Sequence, residues 1–156
     1  MRAIIFLACC LLLVACSQDY ILNKKYDIVN NNWTYADSLR FEFEIKDTTA
    51  LHNLVLNVKH TTNFSYQNLY TRIHTQFPDG QRLSKPVSLE LADKTGAWQG
   101  DCNSKSCTLE IPIQENTYFN QVGNYEIIVE QFMRDSIVGG IQALGLKVTA
   151  TGERRK

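Results

Sequence analysis

Between Leu39 and Ile45 the chain reads Leu-Arg-Phe-Glu-Phe-Glu-Ile, with apolar and charged residues in strict alternation. Only an extended strand puts every second side chain on one face. This segment can therefore bury Leu39, Phe41, Phe43 and Ile45 while Arg40, Glu42 and Glu44 stay in water. A helix would scatter both sets around its surface. The same period returns at Leu54, Leu56 and Val58, at Leu69, Ile73 and Phe77, and at Val87, Leu89 and Leu91. It returns again at Cys107, Leu109, Ile111 and Ile113, at Tyr125, Ile127 and Val129, and at Leu146, Val148 and Ala150. Turn chemistry separates these runs. Pro78-Asp79-Gly80 presets one turn, residues 92–96 end another run, and Pro112 marks a sheet edge or strand end. About seven short strands with turns between them predict an all-β chain: a single antiparallel β-sandwich, immunoglobulin-like or jelly-roll-like. No stretch sustains a helical period. Only Glu130 to Ala143 has room for a turn or two, and Gly139-Gly140 would interrupt anything longer.

The first 15 residues follow a different rule. Every one except Arg2 is apolar, and the run from Ala3 to Val14 is too short to span a bilayer, which takes roughly 20 residues. It fits the apolar region of a secretory signal peptide. Leu13-Val14-Ala15-Cys16 then has the pattern of a bacterial lipobox, which predicts cleavage after Ala15 and acylation of Cys16. Two or three acyl chains of the palmitate class would hold the protein on a membrane durably. Ser17 after the cysteine is compatible with transfer to the outer membrane. No run of Lys and acidic residues follows Cys16, which favours a domain facing the periplasm.

The expected organisation is a signal peptide at 1–15, a lipidated N-terminus and tether at 16–25, a β-sandwich at 26–151 and a basic tail at 152–156. Lys and Arg number 16 against 16 Asp and Glu, so no basic excess is available to neutralise phosphates, and no nucleic-acid partner is expected. Cys9 and Cys10 leave with the signal and Cys16 takes the lipid, so Cys102 and Cys107 remain. In an oxidising envelope an even, closely spaced pair reads as a disulfide closing the Gly100–Ser106 loop. Half a zinc site and a redox pair are the competing readings. They lack, respectively, a nearby histidine and the usual two-residue spacer.

No catalytic constellation stands out. His60 and His74, at the end of one strand run and inside the next, could approach each other, but a metal site would need a third ligand. Glu42/Glu44 and Glu126/Glu130 lie at even spacing, which on a strand means a solvated face. No phosphate loop or nucleophile elbow is present, so neither enzyme activity, cofactor nor metal is expected. Aromatic residues offer another chemistry. Trp33, Tyr66, Tyr70 and Trp98, with Tyr35, Phe64, Tyr118 and Phe119, fall in or beside loops and polar strand faces, where rigid rings bind sugars or peptides. The alternative is that Trp33 and Trp98 plug the ends of the core. Three Asp-Ser/Thr sites, at Ser38, Thr48 and Ser136, match an envelope O-glycosylation sequon; the first two also sit where turns meet a strand, which is ordinary turn chemistry, and three matches favour the modification reading.

Several stretches taken in order resemble one family, the gliding motility lipoprotein GldH family of Bacteroidota. They begin with the lipobox at Cys16, Trp33-Thr34-Tyr35-Ala36-Asp37-Ser38-Leu39, Val58-Lys59-His60-Thr61 and Tyr66-Gln67-Asn68-Leu69-Tyr70. Phe77-Pro78-Asp79-Gly80, Leu89-Glu90-Leu91-Ala92-Asp93 and Gly96-Ala97-Trp98-Gln99-Gly100 follow. Gly123-Asn124-Tyr125, Glu130-Gln131-Phe132-Met133-Arg134 and Gly140-Ile141-Gln142-Ala143-Leu144 complete the series. The resemblance implies a lipid-anchored envelope protein of the gliding machinery and the linked type IX secretion apparatus, working through other envelope proteins and without catalysis. The alternative is a glycan- or peptide-binding lipoprotein. The Cys102/Cys107 loop is not a hallmark of the family, and nothing in the sequence fixes an oligomeric state.

Overall fold

The computed structural model describes residues 20–156, so the signal peptide and Cys16 lie outside the described residues. Eleven strands follow in order. They are β1 (Tyr20–Asp27), β2 (Asn32–Thr34), β3 (Leu39–Ile45), β4 (Ala50–Thr61), β5 (Asn68–Gln76) and β6 (Arg82–Glu90). The rest are β7 (Asp101–Cys102), β8 (Ser106–Thr117), β9 (Gly123–Gln131), β10 (Ile137–Gly139) and β11 (Ile141–Arg154). Among the described residues the helical content is one 3₁₀ turn at Val29–Asn31. All strand pairings are antiparallel, in a five-stranded sheet ordered β1-β11-β4-β8-β7, a four-stranded sheet ordered β3-β9-β5-β6, and a small β10-β2 pair. The chain is all-β, but seven strands in a single sandwich undercounts it: the architecture is eleven strands in three sheets.

Alternation explains the pairing. β3 buries Leu39, Phe41, Phe43 and Ile45 and exposes the residues between them. One hydrophobic cluster joins these side chains and Ile127 and Val129 of the four-stranded sheet to Leu54, Leu56, Val58, Leu144, Leu146 and Val148 of the five-stranded one. Each fully buried aliphatic or aromatic side chain contributes roughly 1.5–3 kcal/mol.

Two boundaries differ from the sequence expectation. Residues 20–25, expected to be tether, already belong to β1, which pairs with β11. Its alternation is weak because an edge strand buries little: Leu22 and Tyr26 are half-buried, and Lys24 donates from Nζ to the Arg40 carbonyl (3.3 Å). Nor do residues 152–156 form a free tail. β11 runs to Arg154, whose guanidinium reaches Thr49 Oγ1 (2.7 Å) and Asp47 Oδ2 (3.0 Å). Glu130 to Ala143 holds no helical turn; it is the end of β9, a loop, β10 and the start of β11.

The long sides of the molecule differ. On one, β1 lies against β3, with Tyr26 edge-on to Phe41 and its hydroxyl donating to the Arg40 carbonyl (2.6 Å). On the other, β6 and β8 are the facing lips of the two sheets.

Candidate partner-binding surface

At the end of the molecule where β5 begins and β9 finishes, aromatic side chains stand out of the fold. Tyr35, Tyr66, Tyr70 and Phe132 are each 40–50% exposed, and Ile137 beside them is 58% exposed. Strand phase explains Phe132. Ile127, Val129 and Gln131 face inward, so Phe132 falls on the outer face, where its amide donates to the Tyr70 carbonyl (2.8 Å) and the Arg72 guanidinium lies 3.9 Å from its ring centroid. Such a stacked cation is worth about 0.5–1 kcal/mol at an exposed site.

The loop from Phe132 to Ser136 is fastened from beneath. Gln131, only 3% exposed, donates from Nε2 to the carbonyls of Asp135 (3.0 Å) and Ser136 (3.2 Å) and accepts the Met133 amide on Oε1 (2.9 Å). Met133 is buried, and its carbonyl takes the Tyr35 hydroxyl (2.6 Å). Tyr66 donates to the Asp135 carboxylate, and that bond raises the Tyr66 hydroxyl pKa above its ordinary value. The result is a shallow depression walled by Tyr66, Tyr70, Phe132 and Arg134, held in place before anything binds.

Of the four aromatic residues singled out in the sequence, the structure brings Tyr66 and Tyr70 together here and turns the tryptophans inward. Trp33 cannot meet a ligand: it is fully buried, donating from Nε1 to the Asp37 carbonyl (2.7 Å). Trp98 is half-buried, packed on His60 (4.6 Å between centroids) and Phe64. Trp33 plugs the core, and Trp98 packs against its edge. Phe132, Arg72 and Arg134 were missed. The available signal was an aromatic residue one step out of phase with the buried positions of its strand.

The histidines do not converge. His60, on β4 of the five-stranded sheet, is buried; its Nδ1 donates to the Thr61 carbonyl (2.9 Å), and burial lowers its pKa. His74 sits on the outer face of the four-stranded sheet. Its Nε2 donates to Glu130 Oε2 (3.0 Å) and its Nδ1 is hydrogen-bonded with the Ser84 hydroxyl (2.5 Å), while Ser38 Oγ donates to Glu130 Oε1 (3.1 Å). This row, Ser38–Glu130–His74–Ser84, crosses the whole sheet from β3 to β6. The His74 bond holds the Glu130 carboxyl below the usual carboxylate range. Among the described residues no group of three or more His, Cys, Asp or Glu could hold a metal ion.

Cys102 and Cys107 face each other across β7 and β8 and form a disulfide. Of the sequon residues, Ser38 is half-buried in the polar row, Thr48 is half-buried between β3 and β4, and Ser136 is exposed beside the aromatic surface.

The fold and surface define a class: an all-β domain that presents a fixed cluster of exposed aromatic and arginine side chains. A family model described as GldH lipoprotein matches residues 20–148, and the chain belongs to that family. It is 25% identical to the gliding motility lipoprotein GldH homolog of Christiangramia forsetii, across 90% of this chain and 86% of that protein. It is 23% identical to the gliding motility lipoprotein GldH of Flavobacterium johnsoniae, across 90% and 87%. Membership makes the chain a lipid-anchored protein of the cell envelope. Among solved structures, one of infectious bursal disease virus (Gx strain) covers 85% of this chain at 16% identity and a TM-score of 0.30; the chain spans 33% of that viral chain.

Proposed function

We propose that this lipoprotein is a non-enzymatic accessory component of the gliding machinery and the linked type IX secretion apparatus. Acylated on Cys16 and set on the outer membrane facing the periplasm, it captures other envelope proteins through the Tyr66–Tyr70–Phe132 surface. The observation that carries this reading is the rigid presentation of exposed aromatic residues and arginine, the residue types that dominate binding energy at protein interfaces. A pull-down of tagged protein after gentle solubilisation tests it. The native chain should retrieve motility or secretion components, and the Tyr70→Ala/Phe132→Ala pair should lose them while remaining in the membrane fraction. Both residues are exposed, so the pair should cost no more than about 1–2 kcal/mol of stability. Undiminished retrieval by that variant would sink the assignment of the surface.

The same depression supports a second reading, since Tyr66 and Tyr70 flanked by Arg134 and Asp135 suit a sugar ring or an extended peptide. Under that reading, purified protein should bind glycans or peptides directly with no envelope protein present, and Phe132→Ala should abolish the binding.

A further inference from the structure

The open side of the molecule, between β6 and β8, carries a groove of about 170 Å³. Leu54, Ile73, Phe119 and Ile127 form its floor, all nine-tenths or more buried. Val87 of β6 and Ile113 of β8 form its walls. Leu83, at one end, is 47% exposed, an unusual position for a leucine turned toward a core. Lys85 is the only charged residue lining the groove, and it makes no ion pair with any described residue. It stands on the same face of β6 as buried Leu89, so the strand phase turns its side chain toward the groove.

The backbone disfavours one kind of occupant. Leu91 donates to Gln67 and Phe77 to Gln81 at the two ends of the β5–β6 ladder, so the odd-numbered residues of β6 form its hydrogen-bonded pairs. Even-numbered residues turn their backbone groups outward, and the central one is Pro86. In β8, the Asn103 amide donates to the Ser106 carbonyl, which turns even-numbered residues toward the β7 side. Pro112 lies on that side beyond the end of β7. Both lips therefore lack one donor where an added strand would need it, which weakens closure of the groove by a peptide extending either sheet. A ligand without a backbone suffers no such penalty.

We propose that the groove binds a single-chain alkyl carboxylate, with its tail on Leu54, Ile73, Phe119 and Ile127 and its carboxylate on Lys85 Nζ. An apolar cavity of roughly 150 Å³ is large enough to take benzene, so the space here suits a short tail or the end of a longer one. The site is independent of the aromatic surface, and failure of one reading leaves the other standing.

Octanoate and octylammonium, two probes differing in head charge, test the proposal on the full lipoprotein in nanodiscs. Thermal unfolding followed by tryptophan fluorescence is the readout, because a ligand that binds only the folded state raises Tm saturably. Octanoate should raise Tm by several degrees and octylammonium should not. Lys85→Glu, at an exposed position, should abolish the octanoate shift and create one for octylammonium. Val87→Trp, which fills the groove, should remove both. No saturable shift with octanoate, an equal shift with octylammonium on the native chain, or an octanoate shift that survives Lys85→Glu would each overturn the proposal.

Discussion

Two buried histidines make this protein sensitive to mild acid. His52 and His60 sit inside the core, where burial disfavours the charged imidazole and lowers both pKa values below the ordinary 6.5. The unfolded chain takes up protons as pH falls through 6.5, while the folded chain does not, so the stability these residues contribute is intact above that value and lost below it. The melting temperature should therefore fall between pH 7 and pH 5. His60→Phe keeps a ring against Trp98 and Phe64 and removes the titrating group. Its melting temperature should decline less over that interval, although loss of the bond to Thr61 costs about 1 kcal/mol at every pH. An identical slope in both proteins would move the effect to other groups. Glu130 adds a second acid-side loss at lower pH, because its bond to His74 lowers its pKa in the fold.

Strands were legible in the sequence where they bury a face and obscure where they do not. Leu39–Ile45 alternates without a break and is β3 to the residue. The Pro78-Asp79-Gly80 turn follows from its chemistry: Gly80 has φ +86° and the Asp79 carboxylate takes the Gln81 amide (2.9 Å). β1, β2, β7 and β10 escaped because each is an edge or only two or three residues long, with few side chains to bury. One ring of the aromatic surface was equally hidden. Tyr66 and Tyr70 announce themselves among polar residues, whereas Phe132 gains its meaning only from Tyr70 beside it, a neighbour distant in sequence. Edges also carry protection that a pattern of apolar residues does not reveal. Pro86 leaves the centre of the β6 edge without an outward donor, and Pro86→Val would restore it. That variant should self-associate at concentrations where the native chain does not change size, as read by light scattering on a sizing column. An unchanged size would show that Lys85 and the twist of the strand protect the edge without the proline.

The two ends of the molecule are far apart. Ile21, Glu44, Lys46 and Ala50 gather at one end, around the start of β1. Trp33, Trp98 and the aromatic surface gather at the other: Trp33 pairs with Val138, and Trp98 packs on His60 near the far end of β4. Thr149, the partner of Tyr20, pairs with Asn53, and His60 lies seven residues further along β4, roughly 23 Å at 3.3 Å per residue. With the protein in vesicles whose lipids carry nitroxide near the headgroup, both native tryptophans should be quenched weakly. A tryptophan at Tyr20→Trp should be quenched strongly. Strong quenching of Trp33 and Trp98 would reverse the orientation. The consequence rests on β1 beginning so early. Tyr20 lies four positions after Cys16, and at most about 3.6 Å per step makes a leash of roughly 14 Å. A lipid on Cys16 would therefore hold the domain upright like a short post. Its aromatic cap would stand well clear of the bilayer, at a height where it meets proteins that project from the membrane rather than those that lie within it.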